Sequence, residues 1–146
     1  MQLILIAEDE YGAAEVLALM LEAHGYRVAS ASNGRAALEL LTAEKPAVIV
    51  SDFMMPHMNG AELGAAVRSN AALADVPFIF VSGTTEEVVR ASFNDYDRFL
   101  SKPVEVDALL AAIADLVNGR KPRISDSEVS NSMRHLLKGI EMPPAD

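Results

Sequence analysis

The chain contains no cysteine and no tryptophan, and aromatic residues make up only 5% of its 146 positions. Absence of cysteine excludes disulfides, a thiol nucleophile and a thiolate zinc centre; it fits a reducing compartment, so a cytoplasmic location is expected. With 51% hydrophobic residues and so few aromatics, the expected core is aliphatic, built from Ala, Leu and Val. Long apolar runs are missing as well. None approaches the roughly 18 residues of a membrane span, and the opening MQLILIAEDE has no basic start of a secretory signal. Neither G-x-G-x-x-G nor G-x-x-x-x-G-K-[ST] occurs, which argues against a nucleotide or flavin site. Positive charge is scarce. The net charge is −9, and residues 1–117 alone hold 17 acids against 7 bases, a net of −10. Such a body is unsuited to direct contact with nucleic acid, and no membrane partner is expected.

What is present is a regular alternation of two periods over the first 117 residues. Short β-rich runs occupy Gln2–Ala7, Tyr26–Ala31, Ala47–Ser51, Pro77–Ser82 and Arg98–Ser101. Helical spacing lies between them, over about Tyr11–His24, Gly34–Ala43, Ala61–Ser69, Thr85–Ser92 and Glu105–Val117. Gly25 ends the first helix and Asn33 caps the second. In the first helix Val16, Leu17, Met20 and Leu21 are expected to share a core face. This alternation predicts an α/β fold, a doubly wound five-stranded parallel sheet with five helices on both faces. The runs AVIV and FIFV are apolar throughout, as strands buried on two sides are. The expected strand order is 2-1-3-4-5, with a crevice at the carboxyl ends of the first and third strands.

Four of these runs end in charged or hydroxyl residues. Glu8 and Asp9 follow LILIA, Asp52 follows VIVS, Ser82 closes FIFVS, and Lys102-Pro103 follow the fifth run. Acids converging at one sheet end repel one another unless a proton or cation is shared, and Mg²⁺ suits a few carboxylate oxygens beside a phosphoryl group. Each residue also has a plainer role. Glu8, Asp9 and Glu10 suit the start of a helix. Asp52 is a ligand, a nucleophile or a turn former before Pro56; Lys102 is a phosphoryl-oxygen partner or an exposed lysine. Ser82 is a phosphoryl donor or a helix cap, a role open equally to Thr84 and Thr85. Phe99, three residues before Lys102, reads first as core.

The acidic pair Glu8-Asp9, the D-x-M-M-P run Asp52–Pro56 with Gly60, Ser82 and Lys102-Pro103 stand in one order. The chain resembles a receiver domain of the two-component response regulators across about residues 1–118. The resemblance implies a bacterial, cytoplasmic signalling switch. Asp52 would accept a phosphoryl group from a histidine kinase or a histidine phosphotransfer protein. Glu8, Asp9, Asp52 and the backbone carbonyl of Met54 would hold Mg²⁺, while Ser82 and Lys102 would bind the phosphoryl oxygens. Ser82 and Phe99 would form the switch pair, changing the face made by the fourth helix, fifth strand and fifth helix. A downstream protein target is expected, without conventional enzyme turnover. Two features depart from the family pattern. ASFNDYDRFLSKP lacks the usual glycine turn before the fifth strand, so a short or irregular fourth helix is expected. Phe99 has no tyrosine hydroxyl, so it switches by packing alone.

One alternative is an aspartyl-phosphate phosphohydrolase, but the second acid such an enzyme places two residues after its nucleophile is Met54 here. Another is a protein-interaction module that is never phosphorylated. Residues 119–146 read as a linker and an amphipathic tail. Ser125 and Glu128 form a capping-box pattern, and Val129, Met133, Leu136, Leu137 and Ile140 fall on one helical face. A sixth helix is expected over about Asp126–Lys138. It would pack on the receiver or on a second copy, giving a homodimer.

Overall fold

The structure is a computed structural model, and residues 1–119 are described. Five strands alternate with five helices: β1 Leu3–Ala7, α1 Tyr11–Ala23, β2 Arg27–Ala31, α2 Gly34–Ala43, β3 Val48–Asp52, α3 Gly60–Ser69, β4 Phe78–Ser82, α4 Glu86–Ser92, β5 Arg98–Ser101 and α5 Val106–Gly119. All strand pairs are parallel, in the order β2-β1-β3-β4-β5. The expected elements are present, with ends displaced by a residue or two. The sixth helix, Asp126–Lys138, lies outside the described residues.

Local chemistry explains the boundaries. The Asn33 side chain accepts from the backbone N–H of Ala36 at 2.8 Å and starts α2. Asn59 and Glu62 form a reciprocal capping box that starts α3. Gly25, at φ 93°, turns the chain out of α1. α4 is only seven residues long, as the shortened glycine-free stretch before β5 predicts.

The sheet separates two apolar layers. On one side Ile4, Ile6, Val48, Val50 and Ile79 pack with α1 and α5 through Leu17, Leu21, Leu109, Ile113 and Leu116. This layer is aliphatic as expected. The other layer, beneath α2, α3 and α4, is not. Phe53, Phe78 and Phe80 are buried there, and Phe93 and Tyr96 pack edge-on against Phe78 and Phe80 with centroids 5.4–6.1 Å apart. A low aromatic count overall conceals their concentration on one face.

The expected face of α1 also needs correction. Leu17 and Leu21 are buried, but Val16 and Met20 are 54% and 40% exposed. The core takes the line through Ala14, Leu17 and Leu21, and the helix remains apolar on its outer side.

Candidate functional site

Parallel register gathers the four strand-end groups. Ala7 pairs with Ser51, so Glu8 and Asp52 stand next along neighbouring strands. Asp52 pairs with Val81, one residue before Ser82. Ser82 pairs with Ser101, and the Lys102 N–H donates to the Ser82 carbonyl at 2.9 Å. Buried apolar runs fix these strands in depth, which places each polar side chain at the rim where its strand leaves the core.

Carboxylate oxygens of Glu8, Asp9 and Asp52 lie within 4.8 Å of one another. Glu8 and Asp52 are only 6% and 7% exposed, whereas Asp9 faces solvent. Lys102 Nζ stands 2.9 Å from Asp52 Oδ2 and 3.3 Å from Glu8 Oε1. Helix capping falls to Glu10, whose side chain accepts from the Ala13 N–H at 2.6 Å. Glu8 and Asp9 are thereby left for the crevice. Glu8 also accepts from the Glu10 N–H at 3.1 Å.

The electrostatics follow from this crowding. Burial pushes the Glu8 carboxyl above its ordinary value; the Glu10 N–H opposes the rise and the Asp52 charge adds to it. Burial alone would lower the Lys102 ammonium, but Asp52 and Glu8 outweigh it and hold the group above the ordinary lysine value. Three carboxylates face one lysine, so the set keeps an excess of negative charge. Hard oxygen donors with such an excess fit a small divalent cation, and Mg²⁺ favours open sites of this kind.

Ser82 is 1% exposed and its Oγ accepts from the Thr84 N–H at 2.9 Å. The cap position of α4 belongs to Thr85, without a side-chain hydrogen bond. Phe99 lies on β5 opposite Phe80, half-buried against the aromatic layer. Met54 lies just past β3 with its side chain 63% exposed. The loop that carries it is closed by main-chain bonds from Gly60 N to Phe53 O at 2.8 Å and from Gly34 N to Met58 O at 2.9 Å. A Cβ at Gly34 would come within 2.6 Å of Met58 O, so only glycine allows this approach of α2. His57, at φ 68°, makes the turn in a left-handed conformation.

Two supports carry no mark in the sequence. Gly34 stands there only as the first residue of its helix. Arg68 is the other: its guanidinium donates to the carbonyls of Ala74, Val76 and Asp95 at 3.2, 2.6 and 3.0 Å, and reaches Asp97 Oδ2 at 3.3 Å. Asp97 Oδ2 in turn accepts from the Phe78 N–H at 2.8 Å. These bonds tie the α4–β5 connection to the entry of β4. An arginine near a helix end carries no signal for such a role, because its acceptors are distant backbone carbonyls.

A family model described as response regulator receiver domain matches residues 4–114. Transcriptional regulatory protein GlrR of Escherichia coli is 32% identical over 119 residues, which is 82% of this chain but 27% of that protein's length. The signal receiver domain of a signal transduction histidine kinase from Syntrophus aciditrophicus superposes with a TM-score of 0.76 at 32% identity, covering 82% of this chain and 92% of the other. Response regulator protein TrrA of Thermotoga maritima, solved in complex with Mg(2+)-BeF, gives 0.72 at 25% identity, covering 80% and 99%. Fold, strand-end acids and lysine agree with these matches: the chain belongs to the response regulator receiver domain family.

Proposed function

We propose that the chain is a phosphorylation-dependent switch in which Asp52 accepts a phosphoryl group from a phosphohistidine of a kinase or phosphotransfer protein. The observation that carries this reading is the trio Glu8, Asp9 and Asp52, with ligand oxygens within 4.8 Å, answered by Lys102 at 2.9 Å from Asp52. An Asp52 carboxylate oxygen attacks phosphorus, the P–N bond breaks, and the imidazole leaves with the electron pair. Mg²⁺, held by Glu8, Asp9, Asp52 and the Met54 carbonyl, supplies charge neutralisation to the phosphoryl oxygens when bound. Lys102 then exchanges its carboxylate partner for a phosphoryl oxygen, and Ser82 gives up the Thr84 N–H to donate its hydroxyl there. Thr84 leads directly into α4, so this exchange pulls on the helix entry while Phe99 repacks beside Phe80.

The product is a state of the protein rather than a released compound, so we assign no conventional turnover. Met54, two residues after Asp52, carries no proton for a leaving group, which distinguishes the site from a phosphohydrolase. The α4–β5–α5 face reports the state to a downstream protein in the cytoplasm. Among the described residues no helix is long and apolar enough to cross a membrane.

Incubation with Mg²⁺ and a small acyl phosphodonor should give a labile phosphoryl adduct by intact mass, absent from Asp52→Ala and without Mg²⁺. Beryllofluoride should shift the spectrum of the wild type only. A wild-type chain that binds no Mg²⁺ and takes up no phosphoryl group would sink the proposal.

A further inference from the structure

We infer that Tyr96 positions the entry of α4: its hydroxyl holds the first turn of that helix through Glu86 and gives it up when the switch turns. The helix is weakly held otherwise. It has seven residues, Val89 is its one buried residue, and its cap residue Thr85 makes no side-chain hydrogen bond. A helix so short has little stability of its own. The Tyr96 hydroxyl donates to Glu86 Oε2 at 2.5 Å, and Arg90, one turn further along, donates to the same oxygen at 3.0 Å. Glu86 is the first residue of the helix. One carboxylate oxygen therefore ties the first turn both to the next turn and to the approach of β5.

Tyr96 is the fixed end of this bond. Its ring packs edge-on against Phe80, with centroids 5.4 Å apart. The residues on either side of it are pinned. Arg68 donates to the Asp95 carbonyl at 3.0 Å, the Asp97 N–H donates to the Phe78 carbonyl at 2.8 Å, and the Asp97 carboxylate accepts from the Phe78 N–H at 2.8 Å. Burial and the Glu86 carboxylate raise the Tyr96 phenol above its ordinary value against the opposing Arg90 charge, so the hydroxyl keeps its proton and remains a donor. Glu86 is the movable end. It stands two residues after Thr84, whose N–H is held by Ser82 Oγ at 2.9 Å. Release of that N–H frees the first turn to leave Tyr96. Phe99, opposite Phe80 on β5, has no polar atom with which to make such a bond. The hydroxyl of the switch is carried three residues earlier, on the connection that reaches the strand.

The bond biases the switch. A contact made only while the entry of α4 is docked favours the unphosphorylated state, and its loss shifts the protein towards the phosphorylated one. With the Glu86 side chain 40% exposed, a factor of about five to ten is expected rather than the larger effect of a buried charged bond. This bias rests on the function proposed for Asp52; the docking of α4 by Tyr96 does not.

Tyr96→Phe keeps the ring on Phe80 and removes the hydroxyl. In the metal-free full chain, peptide-resolved hydrogen exchange over residues 85–92 should quicken about five- to tenfold, with the strands unchanged. Glu86→Ala should quicken it at least as much, and adding Tyr96→Phe to that variant should change the rate by less than about twofold, because the bond is already lost. With Mg²⁺ present, Tyr96→Phe should bind beryllofluoride about five- to tenfold more tightly than the wild type. A tyrosine that serves packing alone would weaken that binding or leave it unaltered, and either result would overturn the inference. Wild-type exchange in α4 of Tyr96→Phe, quickening throughout the sheet, or additive effects in the double variant would overturn it as well. Beryllofluoride bound by no chain would count against the function proposed for Asp52, while the metal-free exchange rates decide the docking without it.

Discussion

The Lys102 ammonium donates to Asp52 Oδ2 at 2.9 Å and stands 3.3 Å from Glu8 Oε1, so a single cation serves two buried carboxylates. Lys102→Met keeps the stem and removes the charge. Stability should fall by ~1–2 kcal/mol, less than for a fully buried pair because the lysine side chain is 35% exposed. Mg²⁺ should bind about tenfold more tightly without the competing cation, while phosphoryl uptake slows. The folded Lys102 value is raised, so its stabilisation is full at neutral pH and is lost only as pH climbs through that raised value. Urea denaturation and Mg²⁺ titration check both arms.

Glu8 has the opposite consequence. Burial and Asp52 raise its carboxyl, so its charged form burdens the native state at neutral pH. Glu8→Gln should stabilise the metal-free protein at pH 7. That advantage should vanish as pH falls through the raised Glu8 value towards the ordinary glutamate value, where wild type is protonated too. Thermal melts across that range decide it, and a variant less stable than wild type at neutral pH would contradict the assignment. Added Mg²⁺ should stabilise the wild type more than the variant.

Arg68 is a support rather than a site residue. Arg68→Met leaves the carbonyls of Ala74, Val76 and Asp95 without their guanidinium donor and removes the cation beside Asp97, which keeps the Phe78 N–H. A loss of ~3 kcal/mol is expected by urea denaturation, with Mg²⁺ affinity unchanged when measured well below the transition.

Gly34→Ala should act on the proposed Mg²⁺ site from another helix. The new Cβ would press on Met58 O, at 2.6 Å before any shift. Overpacking of this kind costs ~1–3 kcal/mol, and relief requires the Met54-bearing loop to move. Mg²⁺ affinity should therefore fall alongside the melting temperature. An unchanged Mg²⁺ titration would confine Gly34 to a packing role.

The sheet and its site were legible because both rest on short-range signals. Apolar runs that end in Glu8, Asp52, Ser82 and Lys102 state the strand and its rim residue at once, and parallel register brings those residues together. Three features were not local. The five-ring layer around Phe80 depends on Phe93 and Tyr96 folding back from a connection that reads as loop. The division of α1 into a buried line at Leu17 and Leu21 and an open line at Val16 and Leu19 was hidden because both lines are apolar. Periodicity identifies a helix without saying which of two greasy sides meets the sheet. Glu10 is a third instance: three adjacent acids look equivalent until geometry makes one of them the cap.

A Cβ placed on Gly64 would fall 2.6 Å from the Phe93 ring. α3 and the end of α4 therefore draw on one shared volume, and neither position is free to vary alone. Enlargement at 64 is admissible only with contraction at 93. Relatives that replace Phe93 with a smaller residue should be the ones that carry a side chain at 64.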